Sequence, residues 1–305
     1  MSNAREDLEK RLAVLEQRAA EGDPKVAAKQ RAEGKLTARE RVYQLLDPGS
    51  FVEEFMLAET QCTDFGMAEK RLPSDGVVTG FGKIDGRPVY VFSQDRAVLA
   101  GTVGSAHAEK IAYVIQTARK LGVPLIGLND SAGARIQEGL SVTTAIGKIF
   151  FENSIASGCI PQISAIMGPC IGVGSYSPAL TDFVLMVQNS SQMFITGPAV
   201  IREVLGETVT MEELGGAKIH SEVSGVTDLV AKNDEECLAM IRRLLGFLPS
   251  SFESPPPRKP TQDDPNRPVD SLEKIVPDDA RRAYNILQVI KAIVDDGDFL
   301  ELKSK

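Results

Sequence analysis

Aliphatic residues recur at helical spacing from residue 5 to residue 20, where Leu8, Leu12 and Leu15 stand among charges, and predict an amphipathic helix stopped by residues 22–24. Thr37, followed three positions later by Glu40, forms a capping box; the helix it opens runs through Val42, Leu45 and Leu46 to Asp47-Pro48-Gly49. The period then shortens to that of strands. Residues 77–84 and 88–94 are β-rich runs joined by Asp85-Gly86-Arg87, a hairpin signal. Ser105 opens a helix with Ile111, Val114, Ile115, Ala118 and Leu121 on one face. Residues 125–129 read as a short buried strand, residues 146–157 as a helix, and residues 162–167 as a strand buried on both faces. Further strands are expected at 183–187, 193–196 and 225–230, with helices at 199–205 and 234–248. Strands alternating with helices define an α/β class. The hairpin and the strands after Leu180 break a strict βαβ order, so residues 75–250 are expected to form a spiral of β-β-α units preceded by an N-terminal helical extension, residues 1–74.

Residues 251–269 carry Pro255-Pro256-Pro257, Pro260, Pro265 and Pro268 among polar side chains, the composition of a stiff extended linker. Beyond it, an amphipathic helix at 278–294 and a strand at 299–302 have no core of their own. Residues 270–305 are therefore expected to be the start of a truncated second domain.

Composition narrows the function. The chain has 305 residues, of which 43% are hydrophobic, enough for a sizeable core. No apolar run reaches the roughly 18 residues of a membrane span and the first twenty residues lack a signal-peptide core, which predicts a soluble, cytoplasmic protein with no membrane role. A net charge of -8 argues against general nucleic-acid binding while permitting a local basic pocket. Cys62, Cys159, Cys170 and Cys237 are scattered and only two histidines are present, so neither a zinc site nor a disulfide frame is expected.

Two strands run into glycine-bearing turns. One leads into Asp130-Ser131-Ala132-Gly133-Ala134-Arg135; the other leads into Gly168-Pro169-Cys170-Ile171-Gly172-Val173-Gly174, with Ser175 or Ser177 capping a helix near Pro178. Such turns are either tight connections or places where unpaired N–H groups meet a carboxylate, a phosphate or an enolate oxygen. Cys170 reads as a buried apolar thiol or, with no histidine nearby in sequence, an unassisted nucleophile. Lys35, Arg39 and Arg41 form a solvated face or a phosphate grip.

Residues 35–230 resemble the carboxyltransferase (beta) subunit of biotin-dependent acyl-CoA carboxylases, propionyl-CoA carboxylase type. The resemblance rests on Gly34-Lys35-Leu36-Thr37-Ala38-Arg39-Glu40-Arg41, Leu128-Asn129-Asp130-Ser131, Ala134-Arg135-Ile136-Gln137-Glu138-Gly139, Gly168-Pro169-Cys170, Tyr176-Ser177-Pro178-Ala179-Leu180-Thr181-Asp182-Phe183, Phe194-Ile195-Thr196-Gly197-Pro198 and Glu213-Leu214-Gly215-Gly216-Ala217-Lys218. It implies a crotonase-like (ClpP/crotonase) fold and transfer of a carboxyl group from carboxybiotin to the α-carbon of a short acyl-CoA. It implies also a biotin carboxylase and a biotin carboxyl carrier as partners, with a homo-oligomer, a hexamer in the family. Its oxyanion hole would use the amides of Gly133 or Ala134 and of Gly172 or Val173, and Lys35 and Arg39 would meet CoA phosphates. Ala132 and Val173 stand where the family has glycines. Because a β-branched residue resists positive φ, Val173 predicts a smaller or reshaped acyl pocket, or a site that no longer catalyses. Three other functions are carried alongside: an acyl-CoA decarboxylase subunit, a non-catalytic CoA-binding or assembly subunit, and a hydratase using Glu138 as the carboxylate aimed at water.

Overall fold

In the computed structural model, residues 2–21, 23–69 and 73–304 are described. Two helices, α1 (Ser2–Glu21) and α2 (Pro24–Ala32), open the chain. The expected stop at Gly22 lies outside the described residues. The sequence reading missed α2, although Asp23 caps it by accepting the Lys25 N–H and Pro24 takes the first-turn position where a missing N–H costs nothing. α3 (Ala38–Leu45) has both halves of its capping box in place: Thr37 Oγ1 accepts from Glu40 N, and the Glu40 carboxylate accepts from Thr37 N at 2.8 Å.

β1 (Val52–Glu54) pairs antiparallel with β2 (Val77–Ile84), which forms the expected hairpin with β3 (Arg87–Gln94). Its turn places Asp85 at φ 50 and Gly86 at φ 79, and the Asp47 carboxylate accepts both of their N–H groups. α4 (Ser105–Leu121) then crosses to β4 (Leu125–Ser131), and α5 (Ser141–Ala156) to β5 (Gln162–Ile171), all in parallel register. α6 (Val173–Ala179), β6 (Phe183–Val187), β7 (Gln192–Phe194), α7 (Pro198–Leu205), α8 (Met211–Gly215), α9 (Ala217–Glu222), β8 (Leu229–Ala231) and α10 (Asp234–Leu245) complete the unit.

The sheet order is β1-β2-β3-β4-β5-β6-β8. It is not one flat parallel sheet, because β5 divides: Ile163–Ile166 pair with β6, whereas Pro169–Ile171 pair with β7. The register of β4 against β5 shifts between Asn129 and Ser131 at the same level, and bridges Val103–Ala134 and Gln192–Gly216 extend the diverging layer. This branching is what repeated β-β-α units require. One face of the sheet packs on α3 and α10 through Val42, Leu45, Ile241 and Leu244; the other packs on α4 and α5 through Ile111, Ile115, Ile146 and Ile149. β5, with apolar neighbours on both sides, is buried on both faces as its run of aliphatics demands.

Several expectations change. The helix after the second turn begins at Val173 rather than near Pro178, because Gly172 itself makes the turn at φ 56. Neither serine caps it: Ser175 Oγ donates back to Gly172 O, and Ser177 Oγ donates to Asn153 Oδ1. Residues 214–218 form the junction of two short helices. In the tail, the helix at 278–294 contracts to α12 (Ile286–Ile293), preceded by α11 (Leu272–Ile275), and neither helix has a buried residue. No strand forms at 299–302. Instead Leu300 packs partly into the core, and Lys303 donates its N–H to Asp228 O beside β8. The proline-rich stretch lies extended, without helix or strand from residue 255 to 264.

Candidate functional site

The parallel strands β3, β4 and β5 all end on the same edge, and the two glycine turns leave β4 and β5 there. Ser131 pairs with Cys170 across the strand ends, and a Cβ on Gly133 would stand 2.7 Å from Ile171 O, so the turns are in direct contact. Glycine is required at 133, where φ is 97, and at 172. Val173 takes an ordinary helical conformation, and its side chain packs against the α4–α5 cluster. The strain expected from a β-branched residue therefore does not arise, because the positive φ falls one residue earlier.

Accounting for the N–H groups separates the four candidate donors. Gly133 N–H donates to Ser131 Oγ at 3.2 Å, and that hydroxyl donates in turn to Gly101 O at 2.7 Å. Gly172 N–H donates to Phe194 O at 3.0 Å, holding β7 in place. These two are engaged within the fold. Ala134 N–H has no acceptor among the described residues; its neighbours on both sides are used, Gly133 O accepting from Val103 and Arg135 N donating to Val103 O. Val173 N–H, at the first position of α6, is likewise without an acceptor. Of the four candidates, Ala134 on the first turn and Val173 on the second thus present an unpaired N–H.

Two buried ion networks, neither assigned from the sequence, hold these turns. Arg41 is fully buried: its Nε donates to Asp234 at 2.8 Å, Nη1 to Asp130 at 3.3 Å and Nη2 to Met167 O at 3.0 Å. It therefore clamps β4 at the first residue of its turn and β5 one residue before its own. Arg135, 1% exposed, donates to Asp75 at 2.5 Å, to Glu138 at 3.0 Å and to Thr102 O at 2.8 Å. Glu138 also accepts from Ser105 N at 2.7 Å and Thr60 Oγ1 at 2.9 Å. Although burial opposes its ionisation, these hydrogen bonds hold its carboxyl below the ordinary range. A carboxylate committed in this way cannot be aimed at water, which removes the structural basis of a hydratase.

The other titratable groups nearby are equally committed. Burial pushes the Cys170 thiol well up and makes it a poor nucleophile. His107 is buried between Asp75 O and the Gln94 amide at 3.0 and 3.2 Å. A carbonyl only accepts, so Nδ1 carries the proton and Nε2 accepts from Gln94, whose Oε1 takes the N–H of Asp130. Burial first, then the Arg135 charge, lowers the His107 pKa well below its usual value. The folded state thus binds this proton less readily than the unfolded chain, whose histidine titrates near 6.5. The associated stability is complete above about pH 6.5 and falls as pH drops, by roughly 1.4 kcal/mol per pH unit at the steepest. His107→Gln should flatten the slope of unfolding free energy between about pH 6.5 and 5.5 by about 1 kcal/mol per pH unit, measured by denaturant titration; an unchanged slope would mean that His107 titrates in the fold as it does in the unfolded chain.

Of the residues expected to meet CoA phosphates, Lys35 reaches Ser190 O at 3.3 Å, beyond the end of β6. Arg39 lines an open groove of about 460 Å³ with Arg31, Thr37, Asp95 and Ala97, but its guanidinium is paired with Glu53 through both carboxylate oxygens. Arg41, the third member of the cluster, belongs to the interior. From the groove the chain continues to Ala100, whose carbonyl accepts the Ala132 N–H of the first turn. Beside the second turn lies a small cavity lined by Phe92, Val103, Ile146, Ile149, Val173 and Gly174.

The carboxyl transferase domain family matches residues 29–305. The methylmalonyl-CoA decarboxylase subunit alpha of Veillonella parvula is 53% identical over 282 residues, 92% of this chain and 55% of that protein. The propionyl-CoA carboxylase beta chain of Roseobacter denitrificans is 48% identical over 305 residues, 100% of this chain and 59% of that protein. Among solved structures, the transcarboxylase 12S hexamer with hydrolysed methylmalonyl-coenzyme A superposes with a TM-score of 0.93 at 42% identity, covering 97% of this chain and 57% of that one. The chain therefore spans somewhat over half the length of the curated relatives it matches. No helix among the described residues is long and apolar enough to cross a membrane. Its branched sheet is the crotonase-like fold, and by sequence and structure this chain belongs to the carboxyl transferase domain family.

Proposed function

We propose that this chain provides the acyl-CoA side of a carboxyltransferase centre and moves a carboxyl group to the α-carbon of a short acyl-CoA such as propionyl-CoA. The observation that carries this reading is the pair of unpaired N–H groups, Ala134 and Val173, on two touching turns. An acyl thioester placed there directs its oxygen at both. When the α-proton leaves, negative charge gathers on that oxygen, and fixed donors stabilise it without reorganising. Carboxylated biotin, carried by a partner, supplies the carboxyl group and, once that is released, a ureido nitrogen as base. The surroundings fit such a group: His107, Glu138 and Cys170 are each buried or hydrogen-bonded in roles that keep them from competing as bases. The chain's part is to hold the acyl-CoA, fix its oxygen and exclude water.

In the same reading Lys35 and Arg39 meet CoA phosphates, Arg39 by exchanging its Glu53 partner. Lys35→Ala should raise KM for acyl-CoA about tenfold with kcat little changed, the pattern of lost ground-state binding, and the effect should shrink at high salt. A fall in kcat at constant KM would place Lys35 in the chemistry instead. Residues 1–74, 75–250, 251–269 and 270–305 divide into helical extension, acyl-CoA domain, linker and the start of a second domain that completes the centre on the biotin side. A biotin carboxylase and a biotin carboxyl carrier are the partners, a homo-oligomer such as a hexamer the assembly, and the cytoplasm the location.

A second reading has a specific observation behind it: 53% identity to a methylmalonyl-CoA decarboxylase alpha subunit, in which related chemistry runs towards loss of the carboxyl group. The full-length chain, assembled with its biotin-bearing partners, should carboxylate propionyl-CoA when given ATP and bicarbonate. Release of carbon dioxide from methylmalonyl-CoA with no net carboxylation would favour the decarboxylase. Acyl-CoA binding without transfer in either direction would leave a binding or assembly subunit.

A further inference from the structure

The cavity beside the second turn encloses about 20 Å³, between α4, α5 and the start of α6. Its wall is mainly aliphatic and aromatic: Phe92, Val103, Ile111, Ile146 and Ile149 are each at most 4% exposed. We propose that it receives the part of the acyl chain beyond the α-carbon and so limits the substrate to about three carbons. The proposal rests on the acyl-CoA reading above and deepens it.

Position is the first argument. Val173, which offers one unpaired N–H, lines the cavity; Val103, which is bridged to Ala134, lines it from the other side. Ala134, Phe150 and Val173 are the half-buried residues packed on this cluster. A thioester whose oxygen meets both N–H groups has its alkyl end directed here.

Size and polarity are the second argument. A space of this volume admits about one water-sized group, hence a methyl group rather than a longer chain. The two amides in the wall are already engaged. Gln94 binds His107 and the Asp130 N–H, Asn129 Nδ2 donates to Gly127 O at 3.1 Å and the Ser177 hydroxyl donates to Asn153 Oδ1, so a hydroxylated or carboxylated tail would compete with bonds already made. The wall is also fixed. Asn153 and Gln162 exchange hydrogen bonds at 2.9 and 3.0 Å, and Asn153 accepts from Ser177 at 2.9 Å, which ties α6 to α5 and β5.

The test compares acetyl-, propionyl-, butyryl- and valeryl-CoA as acceptors for the assembled enzyme. One methylene in an apolar pocket is worth about 10–200-fold in discrimination, so butyryl-CoA should fall at least tenfold below propionyl-CoA in kcat/KM. Ile149→Ala should raise the butyryl-to-propionyl ratio by roughly tenfold or more, and the milder Ile149→Val, retained in case the alanine variant does not fold, by a few-fold. A wild-type enzyme indifferent to chain length, or a ratio within about twofold of wild type in the folded variants, overturns the proposal. If no acyl-CoA is carboxylated or decarboxylated at all, the enzymatic reading fails separately. Calorimetric affinities of the acyl-CoA series for wild type and Ile149→Val still test the cavity, since only an enlarged pocket shifts binding towards butyryl-CoA.

Discussion

Ala134→Pro and Val173→Pro should each lower kcat for carboxyl transfer by about a hundredfold or more while leaving the fold in place. Each substitution deletes one N–H that has no acceptor among the described residues, so none of their hydrogen bonds is lost with it. At 173 the proline enters the first position of α6, where a helix tolerates it best. Donors that act on developing charge lower kcat and kcat/KM together when removed, which distinguishes them from binding contacts. Gly172→Pro makes a contrasting control. It removes the bond to Phe194 and demands negative φ at a residue held at 56, so it should damage the β5–β7 layer as well as activity. Full turnover in folded Ala134→Pro enzyme would take that amide out of the mechanism.

Arg41→Leu should destabilise the protein by about 3–5 kcal/mol in denaturant unfolding. Arg41 and the Asp130 side chain are both fully buried, and Asp234 is 1% exposed. Burial disfavours the guanidinium charge, but the two carboxylates outweigh that cost and keep it protonated. Removing the cation leaves Asp234 without it and Asp130 with only Arg96, at 3.4 Å and partly exposed. Adding Asp234→Asn to the leucine variant should recover part of the loss, because the penalty lies in the uncompensated charge rather than in the missing contact. A change below about 1 kcal/mol, the range of exposed pairs, would contradict this view of the clamp. Arg41 sits under both turns, so its loss should lower transfer even where the fold survives.

The elements that were legible in the sequence are those whose signals are local. Thr37 and Glu40, Asp85 and Gly86, and the aliphatic runs of β4 and β5 specify their structures within a few residues. The branch at β5 could be anticipated only as an order of elements, since its pairing with β7 spans a reversal of the chain. Within the site, the sequence placed both turns but could not choose between Gly133 and Ala134, or between Gly172 and Val173. What separates them is which N–H is bonded within the fold, to Ser131 Oγ or to Phe194 O, one a side-chain rotamer and the other a carbonyl far along the chain. Val173 looked strained because the positive φ could be assigned only to the turn as a whole. Arg41 was grouped with Lys35 and Arg39 by charge, whereas its helical spacing to Ala38 and Leu45 places it on the buried face of α3. That spacing was the available signal. The strand expected at 299–302 does not form, and the next residue, Lys303, meets Asp228 through both its N–H and its ammonium instead.

The most direct measurement follows the thioester carbonyl itself, by isotope-edited infrared spectroscopy of carbon-13-labelled propionyl-CoA bound to the assembled enzyme. Two converging N–H donors polarise the carbonyl, so its stretching band should move to lower frequency on binding, and the shift should be smaller in Ala134→Pro and in Val173→Pro. A band that stays at its solution position in the wild-type complex, or a shift untouched by both substitutions, would show that the thioester oxygen does not lie between these two turns.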